Sequence, residues 1–361
     1  MTGRGNPPEG TPEGVPGGGD DEYRSVVFDE SFVRAARLQE FSAQERMGEH
    51  ARAVRSRHAW ARAGGSRQAV ILVLLIAFAF ATAVYLGVRH PYPSSQPQAV
   101  EPLRSSVVPL APRGQVPGGE PAALFENSPA AAFATGAAGV TLPGVRRTRS
   151  FSESQVMSAL TTAKEYVVKS AIDSDVITGG EVRSVRLLLD PDQLDQFDHS
   201  FEHPADDGRY AATGWLNRFN PAEASLAAPV VRVHGTLTAT ERTTSTLEVT
   251  ADHTFVYALQ RPHDGGTDHA SLFTVRRETR FRFDRGDLRD HHLEVVQSSV
   301  LAGPQACAAN AAGYLRPMLA GQSAKGDAPT GTDPYSSGRP KASLCGVLAP
   351  GALPRLPGSG S

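Results

Sequence analysis

The sequence predicts an α+β domain carried behind one transmembrane helix, and three observations predict it. Gln68 to Val88 is a run of 21 residues without a charge, and a helix of that length spans about 30 Å, the thickness of a bilayer's hydrocarbon core. Between Ser152 and Pro204 apolar residues recur at helical spacing. From Val231 onward they alternate with polar residues in long runs, as antiparallel strands with one buried face do. Helices followed by a meander of strands imply a layer of helices on one face of a curved sheet. A β-sandwich is the alternative, disfavoured because two helices precede the strands.

In chain order, residues 1–20 are rich in Pro, Gly and Glu and read as a disordered arm. Residues 21–67 form a juxtamembrane helical segment in which Phe28, Phe32, Ala35, Leu38 and Phe41 share a helical face. So small a segment cannot bury that stripe itself, so Phe28, Phe32, Leu38 and Phe41 are read as a partner-binding face or one lying on the inner leaflet. Arg52, Arg55, Arg57, Arg62 and Arg67 precede the span at 68–88, and only Arg89 and Arg104 follow it closely. The positive-inside rule then puts the N-terminus in the cytoplasm and the remainder outside the cell membrane. Ala81-Thr82-Ala83 has the form of a signal cleavage site, but 67 preceding residues are far more than a signal peptide carries.

Residues 89–149, with ten prolines between Pro91 and Pro143, are expected to be a Pro/Ala/Gly-rich spacer, with a helical turn at most over Ala130–Ala138. The exported domain is placed at 150–303. Ser152 and Gln155 make a capping box for a helix with Val156, Leu160, Ala163 and Val167 on one face, running to about Lys169. Val185, Leu187 and Leu189 alternate as a short strand would. Asp190-Pro191 starts a second helix that turns Leu194, Phe197 and Phe201 inward and stops before Pro204. Strands are then expected around 231–237, 247–259 and 273–283, with a turn at Asp284–Asp287 leading into a last strand over 288–300. Residues 304–361 read as an Ala/Gly/Pro-rich tail. The two cysteines of the chain, Cys307 and Cys345, both lie on the oxidising side, which makes a disulfide between them the natural pairing.

Two resemblances follow from these patterns. The order and length of elements over about 150–303 is similar to the NTF2-like (cystatin-related) cone fold. That resemblance implies a domain type found behind single anchors in bacterial conjugation, secretion and transport-accessory proteins. The Gly/Pro-rich lead, the stretch Asp-Glu-Tyr-Arg-Ser-Val-Val-Phe-Asp-Glu-Ser-Phe-Val-Arg-Ala-Ala-Arg, the Arg-rich flank and the single span resemble an uncharacterised family of streptomycete membrane proteins. It implies an actinobacterial envelope protein and no catalytic residue.

The chemistry-bearing clusters are few. Asp195, His199, Glu202 and His203 fall on one side of the second helix at spacings that suit a divalent metal, yet an amphipathic helix places such residues outside in any case. His263–His269 brings two His and two Asp around Gly-Gly in a hairpin loop. His253 sits on the apolar parity of its strand and reads as a satisfied core histidine, whereas His291 and His292 point to opposite faces. Arg285-Gly286-Asp287 is read as turn chemistry. Arg276, Arg280 and Arg282, with Glu278 among them, line one strand face, either as cross-strand ion pairs or as a site for an anionic polymer or lipid headgroup. No nucleophile motif, phosphate-binding loop or dinucleotide fingerprint occurs, and a net charge of -2 offers nothing to nucleic acid. The expected role is therefore a non-catalytic scaffold or accessory subunit of an envelope assembly, with bilayer and protein partners and no cofactor. An exported ligand- or polymer-binding module, or a small hydrolase using the cone's cavity, is the competing class.

Overall fold

The computed structural model describes residues 66–89, 100–263, 269–324, 331–336 and 345–355. The chain divides into two units, residues 1–92 and 93–361. In the first, Ser66–Arg89 forms a 24-residue helix, α1, with no charge between Arg67 and Arg89. Its apolar side chains are exposed all round, from Val84 at 50% to Phe78 and Phe80 at 72%. Side chains within α1 are described only at 70–82, 84 and 85, and among the described residues no helix is long and apolar enough to cross a membrane. The span expected over 68–88 therefore stands as a proposal below. Phe28, Phe32, Leu38, Phe41 and the flanking Arg52, Arg55, Arg57 and Arg62 lie outside the described residues.

The second unit is α+β. Its strands are β1 (Arg104–Ala111), β2 (Ala134–Thr135), β3 (Ser225–Glu241), β4 (Leu247–Gln260), β5 (Ser271–Phe283), β6 (Glu294–Gly303), β7 (Gly331–Thr332) and β8 (Gly346–Leu348). They form one mixed sheet in the order β2-β3-β4-β5-β6-β1-β8-β7. The helices are α2 (Pro121–Glu126), α3 (Glu153–Ala171), α4 (Ser174–Ile177), α5 (Arg183–Arg186), α6 (Leu194–Glu202), α7 (Ala212–Trp215) and α8 (Asp287–Asp290).

The antiparallel meander β3-β4-β5 follows the predicted alternation. Odd-numbered residues of β4 and β5, among them Val249, Phe255, Tyr257, Val275, Phe281 and Phe283, point to the main core, where they meet Val156, Leu160, Ala163 and Val167 of α3. The capping box of α3 is complete: Ser152 Oγ accepts from the Gln155 N–H, and the Gln155 side chain accepts from the Ser152 N–H at 2.9 Å. Asp190 caps a 3-10 turn at Pro191–Gln193 that leads into α6, and α6 buries Phe197 with Leu194 and Phe201 packed beside it.

Four expectations are corrected. The segment read as a spacer over 89–149 belongs, from residue 100 on, to the folded unit. Here β1 lies in the interior of the sheet, parallel to β6 from Arg104↔Gln297 to Pro109↔Ala302 and parallel to β8 beyond it. Leu103 and Leu110 are wholly buried. The tail 304–361 likewise adds β8 beside β1 and β7 at the sheet's edge, and buries Leu315, Leu319, Val347 and Leu348. The far face of the sheet is consequently not solvated throughout. Leu124 and Phe125 of α2 cover Val256, Ala258 and Leu272 there, with Tyr335 packed alongside. Third, in place of the strand expected at 185–189 the chain forms the helix α5 over Arg183–Arg186, closed by Arg186 N–H to Val182 O at 3.0 Å. A turn follows, and only Leu189 makes a β-bridge, to Leu293 just before β6. Val185 and Leu189 are buried and Leu187 is 60% exposed, a pattern that a short apolar run leaves ambiguous between strand and helix. Fourth, the last strand begins at Glu294 because α8 and a left-handed His291 (φ 58°) occupy 287–291. The expected disulfide joins Cys307 to Cys345 with Cα atoms 5.5 Å apart.

Candidate functional site

The most unusual chemistry of the folded unit lies at the centre of its inner sheet face. Along β5 the inward parity runs Phe273, Val275, Arg277, Thr279, Phe281, so a guanidinium occupies a core position, and Arg277 is 4% exposed. All five of its N–H groups are used. Nε and Nη2 donate to Asn217 Oδ1 at 3.1 and 2.7 Å, and Nη2 also donates to Thr213 O at 2.6 Å. Nη1 donates to Gly214 O at 2.7 Å and Ser298 Oγ at 2.8 Å. Every acceptor is neutral. Burial pulls the guanidinium down to about 10, which leaves it charged at neutral pH.

The network extends outward from that point. Asn217 Nδ2 donates to the Tyr257 hydroxyl, which donates to Ala171 O at the end of α3. Tyr166 donates to Trp215 O, and Trp215 Nε1 to Ser200 Oγ on α6. Burial pushes both tyrosine hydroxyls well above their ordinary range. The charge thus fastens α3, α6 and the 212–217 segment to the sheet.

His253 of β4 is the cross-strand partner of Arg277. It is 1% exposed, and burial holds it down at about 4, so it is neutral. It was expected to be a satisfied core histidine. It is in the core, but neither ring nitrogen has a hydrogen-bonding partner in the protein. Its ring lies over Gly235 of β3, where a Cβ would fall 2.5 Å from His253 Cδ2 and 2.6 Å from its Cα. His253, Arg277, Tyr166, Ser170, Phe255 and Thr279 share a cavity of about 10 Å³.

A second buried polar locus joins the start of β6 to α8. Glu294 is 6% and Asp287 4% exposed, and burial raises both carboxyls to about 7. The neighbouring carboxyls of Asp284 and Asp190 push Asp287 further up, while it accepts the Asp284 N–H at 2.8 Å. Arg282 stands 3.5 Å from Glu294 but gives its closer contact, 2.7 Å, to Glu101, so desolvation outweighs its attraction.

The residues singled out from sequence are placed as follows. His199 stacks on His203 at 5.1 Å and meets the Tyr210 ring edge-on at 4.6 Å. Among the described residues no group of three His, Cys, Asp or Glu is placed to hold a metal, Asp195, His199, Glu202 and His203 included. Residues 264–268 of the His263–His269 loop lie outside the described residues. Arg285 donates to Ser150 O and Thr244 O, and Gly286 and Asp287 donate backbone N–H groups to Asp284, so this tripeptide is a turn. The arginine face is ion-paired. Arg276 makes a two-point contact with Asp252 at 2.9 and 2.7 Å, Arg280 meets Glu278 at 3.3 Å, and Arg282 meets Glu101. On the outside a cleft of about 730 Å³ is bordered by Asp173, Asp175, Gly179, Glu181, Arg183 and Leu187.

Sequence reasoning missed Arg277, although a charged residue on the apolar parity of a core strand was the available signal. It also missed Glu294 and Asp287, whose surroundings draw Glu101 and Asp190 from elsewhere in the chain. Compared with known proteins, the chain matches no family model, no curated protein and no solved structure.

Proposed function

We propose that this chain is a non-catalytic, single-pass membrane protein of the cell envelope. Its N-terminus faces the cytoplasm and its α+β unit lies outside. There it acts as a scaffold or accessory subunit of an assembly concerned with wall synthesis or export. The observation that carries the reading is α1, a 24-residue helix with apolar side chains exposed on all sides and no charge between its terminal arginines. Such a surface is stable against lipid and costly against water. The Cys307–Cys345 disulfide in the second unit favours an oxidising compartment. An NTF2-like cone is the fold type proposed for that unit, on the strength of long antiparallel strands wrapped over α3. The parallel strand β1 is an addition to that plan. Inside the cone the cavity beside Arg277 takes about one water-sized body, which favours partner recognition by surface over turnover of an enclosed substrate.

The test is in-cell cross-linking of the full-length chain, compared with a chain lacking residues 21–62, together with protease protection in spheroplasts. Recovery of envelope-assembly proteins that depends on 21–62, with 93–361 cleavable from outside, is the expected result. An unchanged partner set after the deletion removes the coupling role, and a protease-inaccessible C-terminal unit removes the topology.

A further inference from the structure

We propose that the cavity between Arg277 and His253 is a binding site for one monovalent anion of halide size. The inference is independent of the membrane reading, and it starts from a charge imbalance. A buried ionised side chain is ordinarily paired with an opposite charge, because its lost hydration is costly to replace by dipoles alone. Arg277 is fully hydrogen-bonded, but to an amide oxygen, two backbone carbonyls and a hydroxyl, and no carboxylate is among its partners. The nearest acid along β4, Asp252, is on the opposite parity and is held in two contacts by Arg276. The positive charge is therefore hydrogen-bonded without being neutralised.

His253 supplies the second, independent observation. It faces Arg277 across the strand pair and is buried with both ring nitrogens lacking a protein partner, on the wall of the cavity that Arg277 also lines. A neutral imidazole offers one N–H to that space. The ring is held there by the missing side chain of Gly235, since any Cβ at 235 would collide with it.

Size and donor geometry select the ligand. About 10 Å³ admits roughly one water-sized body, which excludes phosphate, sulfate and carboxylate-bearing metabolites. Arg277 has no N–H left for the two-point contact that a carboxylate or phosphate takes, so its contribution is the field of its charge. One directed donor and one nearby positive charge suit a spherical anion. Water meets the hydrogen-bonding need of His253 but not the charge of Arg277.

The experiment uses the full chain purified in detergent, with bromide as the probe. Thermal unfolding is followed while sodium bromide replaces sodium gluconate at constant ionic strength, gluconate being too large to enter. The expected result is a Tm that rises by a few degrees over about two decades of bromide concentration, as a ligand that binds only the folded state requires. In His253→Leu that dependence should vanish. Bromide-soaked crystals of the unaltered chain give a second readout that does not depend on the variant folding, with an anomalous peak expected between His253 and Arg277. A Tm indifferent to bromide, a dependence that survives in His253→Leu, or anomalous peaks at surface positions only would each overturn the proposal in favour of a bound water.

Discussion

Replacing Glu294 by Gln should stabilise the folded protein at pH 8 and leave it nearly unchanged at pH 5. The carboxyl is buried at the start of β6 and raised from its ordinary 4.5 to about 7 by desolvation. The folded state keeps a proton that the unfolded chain releases near pH 4.5. This group's contribution to stability is therefore fully present below that pH, falls as pH rises towards 7, and stays lost above it. At 1.36 kcal/mol per pKa unit, the displacement corresponds to about 3 kcal/mol. The value of about 7 already includes the opposing attraction of Arg282, and with solvent screening of an incompletely buried carboxylate the net gain at pH 8 should be roughly 1–2 kcal/mol. For a folded unit of this size that is about 3–6 °C in Tm. His253 acts in the opposite sense, because a histidine held down at about 4 contributes stability that is present above pH 6.5 and lost as pH falls through 4. The discriminating quantity is therefore the difference between variant and parent, measured by thermal unfolding at pH 5 and pH 8. A Glu294→Gln chain no more stable than the parent at pH 8, or one displaced equally at both values, would refute the reasoning.

Three further substitutions test other parts of the fold. Gly235→Ala places a Cβ against Asp252 O and the His253 ring; it should lower stability by about 1–3 kcal/mol, read by denaturant unfolding, and a neutral result would mean that β3 can move away from β4. Asp252→Ala removes the two-point carboxylate contact of Arg276, whose side chain is 8% exposed, and should cost roughly 1–3 kcal/mol in the same assay. Cys345→Ser opens a loop closed across a sequence separation of 38; it should lower stability by about 3–4 kcal/mol, and reductant should reproduce the loss in the parent chain but add nothing to the variant.

The parts of this fold legible in sequence are those determined by neighbours in the chain. The capping box of α3, the Asp190 cap, the parity of β4 and β5 and the cysteine pairing each rest on residues close together or on compartment chemistry. What escaped is long-range pairing. Strand β1 reads Arg-Ser-Ser-Val-Val-Pro-Leu-Ala between Pro102 and Pro112, and prolines at that density suggest a spacer. Pro109 is tolerated because it stands where β1 finishes its pairing with β6 and passes to β8, a position in which a missing N–H matters less. A subtler signal lay in β4. Phe255 to Leu259 is a continuous apolar run inside an otherwise alternating strand, and such a run signals burial on both faces. Read that way, it requires a cover for the far side of the sheet, which α2 provides from within the supposed spacer.

Arg277 shows where parity alone is insufficient. Its position among inward-facing residues marks it as buried, but what makes burial tolerable is assembled from Thr213, Gly214, Asn217 and Ser298. Two of those acceptors are backbone carbonyls with no side-chain signature. The segment that carries them includes the four-residue helix α7, too short to hold itself by helical hydrogen bonds. The guanidinium is therefore as much a tether for that segment as the segment is a cradle for the charge. Replacing Arg277 by an apolar residue would leave several acceptors unpaired at once, and the first structure to loosen would be α7 with Trp215, followed by the contacts through which α3 and α6 meet the sheet.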